Sequence, residues 1–220
     1  TYRINNNYKY ALLFLLLLVF TSSFSQNSLH FKYWNPAGAA MHFIEGQGWP
    51  GEVKDSYDRL PERAEKEVRK AVWDLSKNSA GLSLRFNTDA SEIVVRYIVA
   101  GSLQMPHMPA TGVSGVDLYA KGEDGSQLWC AGKFSFGDTI TYRFTNLQNP
   151  GPLGGTYTLF LPLYNTVKWL VVGVPQKNFF NPLPIQKEKP FVVYGTSIAQ
   201  GGCASRPGLA WTSILSRKLN

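Results

Sequence analysis

Between Gly81 and Val174 the chain keeps a period of two, broken at short intervals by Gly, Pro, Asn and Asp. Nothing else in the sequence restricts the fold so tightly. Alternation sends successive side chains to opposite faces, which suits a half-buried strand and no helix. Gly81–Asn87 (GLSLRFN) sets Leu82, Leu84 and Phe86 on one face, and Asn87, Thr88 and Asp89 read as the turn after it. Glu92–Ala100 (EIVVRYIVA) is rich in the β-branched and aromatic residues that fit a pleated surface. Gly115–Lys121 places Val116, Leu118 and Ala120 together, and Gly122–Gly125 (GEDG) reads as a hairpin turn. Leu128–Phe134, Thr139–Phe144, Gly155–Leu163 and Val167–Val174 continue the series. Short strands so closely punctuated predict a mainly β domain over residues 26–174, a β-sandwich of the jelly-roll kind.

The segments before it are less regular. Residues 26–60 carry no clear periodicity, but Phe31, Tyr33, Trp34, Phe43 and Trp49 suggest a packed arm. PERAEKEVRK, residues 61–70, suits one or two helical turns with Pro61 at the start, and equally a charged strand edge. Trp73 is expected to open strand territory. At the N-terminus, Arg3 and Lys9 precede ten unbroken apolar residues, Ala11–Phe20, and Ser23 and Ser25 form a small-x-small site. Residues 1–25 therefore read as a signal peptide cut between Ser25 and Gln26, which predicts a secreted or periplasmic protein. The apolar run is well short of the roughly 20 residues a membrane-spanning helix needs, so no stable anchor is expected after cleavage. The chain begins at Thr1 and stops at Asn220 within a helical pattern, so it is expected to be a fragment at both ends.

Composition narrows the class. Hydrophobic residues are 44% and charged residues 17%, which suits a globular core and excludes a disordered chain. The net charge is +7, but the densest basic cluster, Arg59–Lys70, is interleaved with Glu62, Glu65 and Glu67. That is a solvated face, and no nucleic-acid partner is implied. Export permits a disulfide between Cys130 and Cys203. They fall in different predicted domains, however, so two free thiols is the simpler expectation. Two cysteines and three scattered histidines lack metal-ligand spacing, and no metal or cofactor is expected.

The pattern changes near residue 175. Pro175, Pro182, Pro184 and Pro190 mark residues 175–189 as a linker. Pro190–Tyr194 (PFVVY) is a continuous apolar run of the sort found in buried parallel strands. Gly195-Thr196-Ser197 makes a turn, and Leu209, Trp211, Ile214, Leu215 and Leu219 recur at helical spacing. Strand, turn and helix together read as the opening of an α/β domain over 190–220. Ser197 would lie just past the carboxyl end of the strand, where reactive groups gather in open α/β sheets. There its Oγ can attack, its own N–H can face an oxyanion, and a following helix adds a favourable positive end. As a bare tripeptide, Gly-Thr-Ser is equally an ordinary turn.

The stretch KPFVVYGTSIAQGGCASRPGLAWTSILSRKL, Lys189–Leu219, resembles the first conserved block of SGNH (GDSL-type) hydrolases, which are flavodoxin-like in fold. It is most similar to the bacterial branch with an N-terminal β-sandwich named for a Gly-x-Asp-Leu-Tyr signature. Here that signature is Gly115-Val116-Asp117-Leu118-Tyr119, and VWDLSKNSAGLSLRF and YTLFLPLYNTVKWLVVGV are also similar to that domain. The resemblance implies a serine esterase, often acting on acylated carbohydrate, with Ser197 as nucleophile and its N–H in the oxyanion hole. It also implies further oxyanion donors, a Gly and an Asn, and a base in an Asp-x-x-His, from blocks that these 220 residues do not contain. The fragment alone is therefore expected to be inactive. Many members have Asp where this chain has Thr196, which leaves any helper role of that Asp in doubt.

Other residues have a functional and a structural reading. His107, in Met105–Pro109, could line the cleft or be a solvated loop histidine. Asp117 points away from Val116 and Leu118, which suits a structural hydrogen bond or a solvated position. Trp129, Tyr142 and Trp169 could stack on sugar rings, or be core. The competing function is a non-catalytic carbohydrate-binding sandwich. Cut from the rest of its sheet, the 190–220 segment is expected to be poorly ordered, with Val192, Val193 and Trp211 lacking partners.

Overall fold

A computed structural model describes residues 30–148, 154–188 and 191–219. The expected signal peptide and its cleavage site lie outside them. The arm begins with β1 (Phe31–Trp34) and β2 (Ile44–Glu45). The alternating region then supplies β3 (Ser83–Thr88), β4 (Glu92–Val99), β5 (Asp117–Lys121), β6 (Gln127–Cys130), β7 (Gly132–Ser135), β8 (Ile140–Thr145), β9 (Gly155–Phe160) and β10 (Val167–Pro175). Last comes β11 (Phe180–Pro182), inside the stretch expected as a linker.

These strands form two antiparallel sheets. One runs β1-β10-β4-β8-β7, and the other β11-β3-β9-β5-β6, with β2 also paired to β3. Register follows the apolar pattern, because a slip of one residue would turn each strand's core face to solvent. Val172 lies opposite Val95, Phe86 opposite Tyr157, and Leu118 opposite Leu159. Inward residues of both sheets meet in one core: Leu84, Phe86, Leu118 and Leu159 from one, and Ile93, Val95, Tyr97, Phe144 and Leu170 from the other. Each such side chain contributes about 1.5–3 kcal/mol on burial. Tyr97 brings a hydroxyl into this core and satisfies it by donating to the Ser114 carbonyl at 2.7 Å.

Two details depart from the sequence expectation, and one open alternative is decided. The single strand expected over Leu128–Phe134 is two: β6 pairs with β5 in one sheet, and β7 pairs with β8 in the other. The chain changes sheets at Ala131, and alternation cannot show this because it persists through the corner. Within residues 61–70 the helical alternative holds, with one turn at Ala64–Glu67 and a second helix starting at Lys70 and running to Ser76. Trp73 therefore lies in a helix and opens no strand; it is buried there and donates its Nε1–H to Glu65 at 3.1 Å. The arm is packed as expected, with Trp34 against Phe43 and Phe180.

After β11 the chain forms a one-turn helix at Ser197–Gln200, a 3-10 turn at Pro207–Leu209, and a helix at Trp211–Leu219. The expected buried strand is not buried. Phe191 is 82% exposed and Tyr194 88%, and no strand pairs with residues 191–194 among the described residues. A parallel strand is buried only between neighbours, and none of the described strands stands beside it. The expectation that everything from 190 onward lacks partners is corrected from Ser197 on, where the segment packs against the sandwich.

Candidate active site

The docking is organised by the outer face of β5. Asp117 points away from the core, as alternation requires, yet it is only 3% exposed because the C-terminal segment covers it. Its Oδ2 accepts from Arg206 Nε at 3.0 Å and from the Gly208 N–H at 3.0 Å, and its Oδ1 accepts from Trp129 Nε1 at 2.6 Å. Burial pushes the carboxyl pKa above its ordinary value, and the donors from Trp129, Arg206 and Gly208 pull against that rise. Gly208 sits so close that an added Cβ would overlap the Tyr119 ring and Asp117 Oδ2. The Arg206 guanidinium lies 4.1 Å from the Trp129 ring centre and that of Arg217 3.9 Å from Tyr119, both stacking distances. Beside them the Thr111 hydroxyl donates to the Ser205 carbonyl at 2.6 Å. The signature Asp-Leu-Tyr thus faces two ways. Leu118 packs in the core, while Asp117 and Tyr119 hold the segment that carries the serine.

Ser197 opens the one-turn helix and is exposed. The turn closes on Gly201, whose φ of 101° lies in the left-handed region that glycine favours. The Gly202 N–H donates to the Ser197 carbonyl at 2.8 Å and the Gly201 N–H to that of Ile198 at 3.2 Å, the paired bonds of a Schellman closure. The Tyr164 hydroxyl, from the sandwich, donates to the same Ser197 carbonyl at 2.7 Å. Burial raises the Tyr164 phenol pKa, so the group remains a protonated donor. One residue earlier, the Leu163 carbonyl accepts from Gln200 Nε2 at 2.9 Å. The helix expected from about Leu209 is present at Trp211–Leu219, but what directly follows the serine is a single turn, too short for a helix dipole to count for much there.

Ser197, Ile198, Gly202 and Cys203 form one wall of a pocket of about 180 Å³, and His107, Met108 and Tyr164 form the other. The His107 loop is a tight turn in which Met105 and Met108 exchange backbone hydrogen bonds of 3.0 and 3.2 Å, pinned by the buried Met108. Of the residues singled out from sequence, Ser197 and His107 are brought together, whereas Asp117 stands outside the pocket and takes the structural reading. Trp129 is half-exposed but its ring is taken by Arg206, Tyr142 is core, and Trp169 is half-buried in β10. Cys130 and Cys203 are both free thiols; burial pushes Cys130 up to about 11. Tyr164 and Arg206 escaped the sequence reading. Both lie in stretches that resemble the family, but nothing local marks either for a role: Tyr164 follows Pro162 at the end of the alternating run, and Arg206 looks like any solvated arginine until its contacts are seen.

Two family profiles match. Residues 31–180 match GxDLY, the N-terminus of SGNH-hydrolase-type esterases, and residues 188–220 match the GDSL-like lipase/acylhydrolase family. Among solved structures, one described as a GDSL-like lipase from Bacteroides ovatus ATCC 8483 is similar, with a TM-score of 0.71 and 28% identity, over 86% of this chain and 53% of that one. Salicylyl-acyltransferase SsfX3 from a tetracycline biosynthetic pathway shares the fold, with a TM-score of 0.51 and 16% identity, over 88% of this chain and 50% of that one. The chain spans about half the length of both structures. No curated protein matches.

Proposed function

This chain belongs to the SGNH-hydrolase-type esterases that carry a GxDLY N-terminal domain, with a GDSL-like lipase/acylhydrolase block behind it, and from that premise we propose that Ser197 is the nucleophile of an exported serine esterase. The observation that carries the reading is the placement of Ser197, exposed on the wall of a pocket and held by donors to its carbonyl. Its Oγ attacks the ester carbonyl carbon while its proton passes to a base. The C–O bond to the alcohol then breaks and the alcohol takes up that proton, leaving an acyl-serine. Water adds to the acyl carbon, the acyl C–Oγ bond breaks, one water proton returns to Ser197 Oγ, and the product leaves as the carboxylic acid, which ionises in solvent. The Ser197 N–H is one donor to the oxyanion. The base is the histidine of the family's Asp-x-x-His, which these 220 residues do not contain. The substrate is an acylated carbohydrate or another small ester. Export rests on the basic residues and apolar run before Ser25.

The test is aryl acetate hydrolysis by the protein extended through its Asp-x-x-His block. Turnover should fall by about 10³-fold or more in Ser197→Ala, and a fluorophosphonate should label Ser197 in the parent alone. Hydrolysis that survives Ser197→Ala unchanged would remove the serine from the chemistry. The 220-residue chain should show no turnover.

A further inference from the structure

The sandwich reaches the nucleophile directly through Tyr164. A four-residue helix cannot hold its own geometry, because nucleation is costly and so few bonds repay it. Nor does the chain before it help, since residues 191–194 are exposed and unpaired by any described strand. What remains comes from Trp211, whose Nε1–H donates to the Ile198 carbonyl at 2.9 Å, and from the sandwich side, at Leu163 and Tyr164. The Leu163 carbonyl takes the Gln200 side chain, and the Tyr164 hydroxyl bonds the Ser197 carbonyl. That bracket is itself rigid. The Tyr164 N–H donates to the Val113 carbonyl at 3.0 Å, and Leu163 and Asn165 on either side are each 1% exposed. The Asn165 side chain is tied to Gly101 at 2.8 Å, Ser102 at 3.1 Å and Ser114 at 2.9 Å.

We propose that Tyr164 is a positioning residue for the esterase reaction: its hydroxyl, fixed to the sandwich, sets the place of Ser197 in the pocket through the Ser197 carbonyl. This rests on Ser197 being the nucleophile. Small displacements of a nucleophile are costly, since about 1 Å can lower a rate roughly a hundredfold. The family's β domain thereby acts in the acylation step through a bond to the backbone, distinct from any contact with substrate. Gly202 sits against the same bond. A Cβ there would lie 2.9 Å from the Ser197 oxygen and 3.1 Å from the Tyr164 hydroxyl, so Gly202→Ala should wedge the bond from its other side.

The experiment compares Tyr164→Phe and Gly202→Ala with the parent in the extended, active protein, using a short aryl ester and active-site titration. Tyr164→Phe keeps the ring and loses only the donor. It should lower kcat about tenfold with KM within about twofold, and slow fluorophosphonate labelling by the same factor. Gly202→Ala should do likewise, which keeps the test alive should either variant fold poorly. A kcat within about twofold of the parent in the folded variants overturns the proposal. So does a raised KM at unchanged kcat, which would make the hydroxyl a substrate contact. Ser197→Ala runs alongside: activity surviving there would bring down the nucleophile assignment itself, a failure distinct from the other two.

Discussion

The sandwich and the segment after Ser197 are stabilised in opposite ways. The sandwich supports itself, because residues from both sheets meet in one apolar core and each strand is paired along its length. The segment has no such core. Ser213 and Ala210 are buried, but Trp211, Leu215 and Leu219 remain exposed. It is held by a small apolar cluster, in which Ala210 and Ala204 meet Ala80, Met108, Val113 and Leu163, and by polar and stacking contacts to the sandwich, at Asp117, Tyr119, Thr111, Leu163 and Tyr164. The sandwich thus stands on apolar area of its own, whereas the segment borrows a small apolar patch of the sandwich and adds a few directed bonds that orient Ser197. Such bonds are individually weak, about 0.5–1.5 kcal/mol each, but they fix orientation.

The strongest way to sharpen the contrast is to damage the core. Phe86 is fully buried against Tyr157 and Phe180. Phe86→Ala should cost about 3–5 kcal/mol in urea unfolding, and the segment should lose its structure in the same transition. A segment that outlasts the sandwich would break the comparison. Gly208→Ala works from the other side. The Cβ that collides with Tyr119 and Asp117 should weaken docking by about 1–3 kcal/mol, seen as faster proteolysis near Arg206. The sandwich's own transition should hardly move. Arg217→Gln removes the cation from over Tyr119 and should cost about 0.5–1 kcal/mol, readable as a small drop in the thermal midpoint.

The gentlest probe is pH. Burial raises the Asp117 pKa above its ordinary 3.8, so the folded chain holds that proton more tightly than the unfolded one. Its contribution is fully present below pH 3.8 and is lost as pH rises through the folded value. Thermal midpoints of the parent and Asp117→Asn should therefore shift against the parent as pH climbs from below 3.8. A gap that stays constant or grows in the parent's favour would show that burial does not dominate this carboxyl.

How much was legible differs between the regions for the same reason. Alternation reports which face of a strand meets the core, so Leu82, Leu84, Phe86, Val116 and Leu118 were readable as inward, and Asp117 as outward. It carries no information on which sheet a strand joins, and the β6–β7 corner was invisible. Ser197 was singled out by the change of pattern around it and by a family resemblance. Its supports were not. Asp117 meets Arg206 across 89 residues and Tyr164 meets Ser197 across 33, and no local period encodes such pairs. The run at 191–194 misled because an apolar stretch states a preference for burial without supplying the neighbours.

Amide hydrogen exchange on the 220-residue chain, with and without Asp117→Ala, tests most directly whether the segment's structure is lent by the sandwich. The Gly208 amide, which donates to Asp117, and the Ile214 amide, which donates to the Ala210 carbonyl, should be protected in the parent. Both should exchange freely in Asp117→Ala while the Val95 and Leu159 amides of the core strands stay protected. Residues 191–194 should exchange fast in both proteins. A segment unprotected in the parent, or one whose protection survives the loss of Asp117, would contradict a Ser197-bearing turn held in place by the Gly-x-Asp-Leu-Tyr strand.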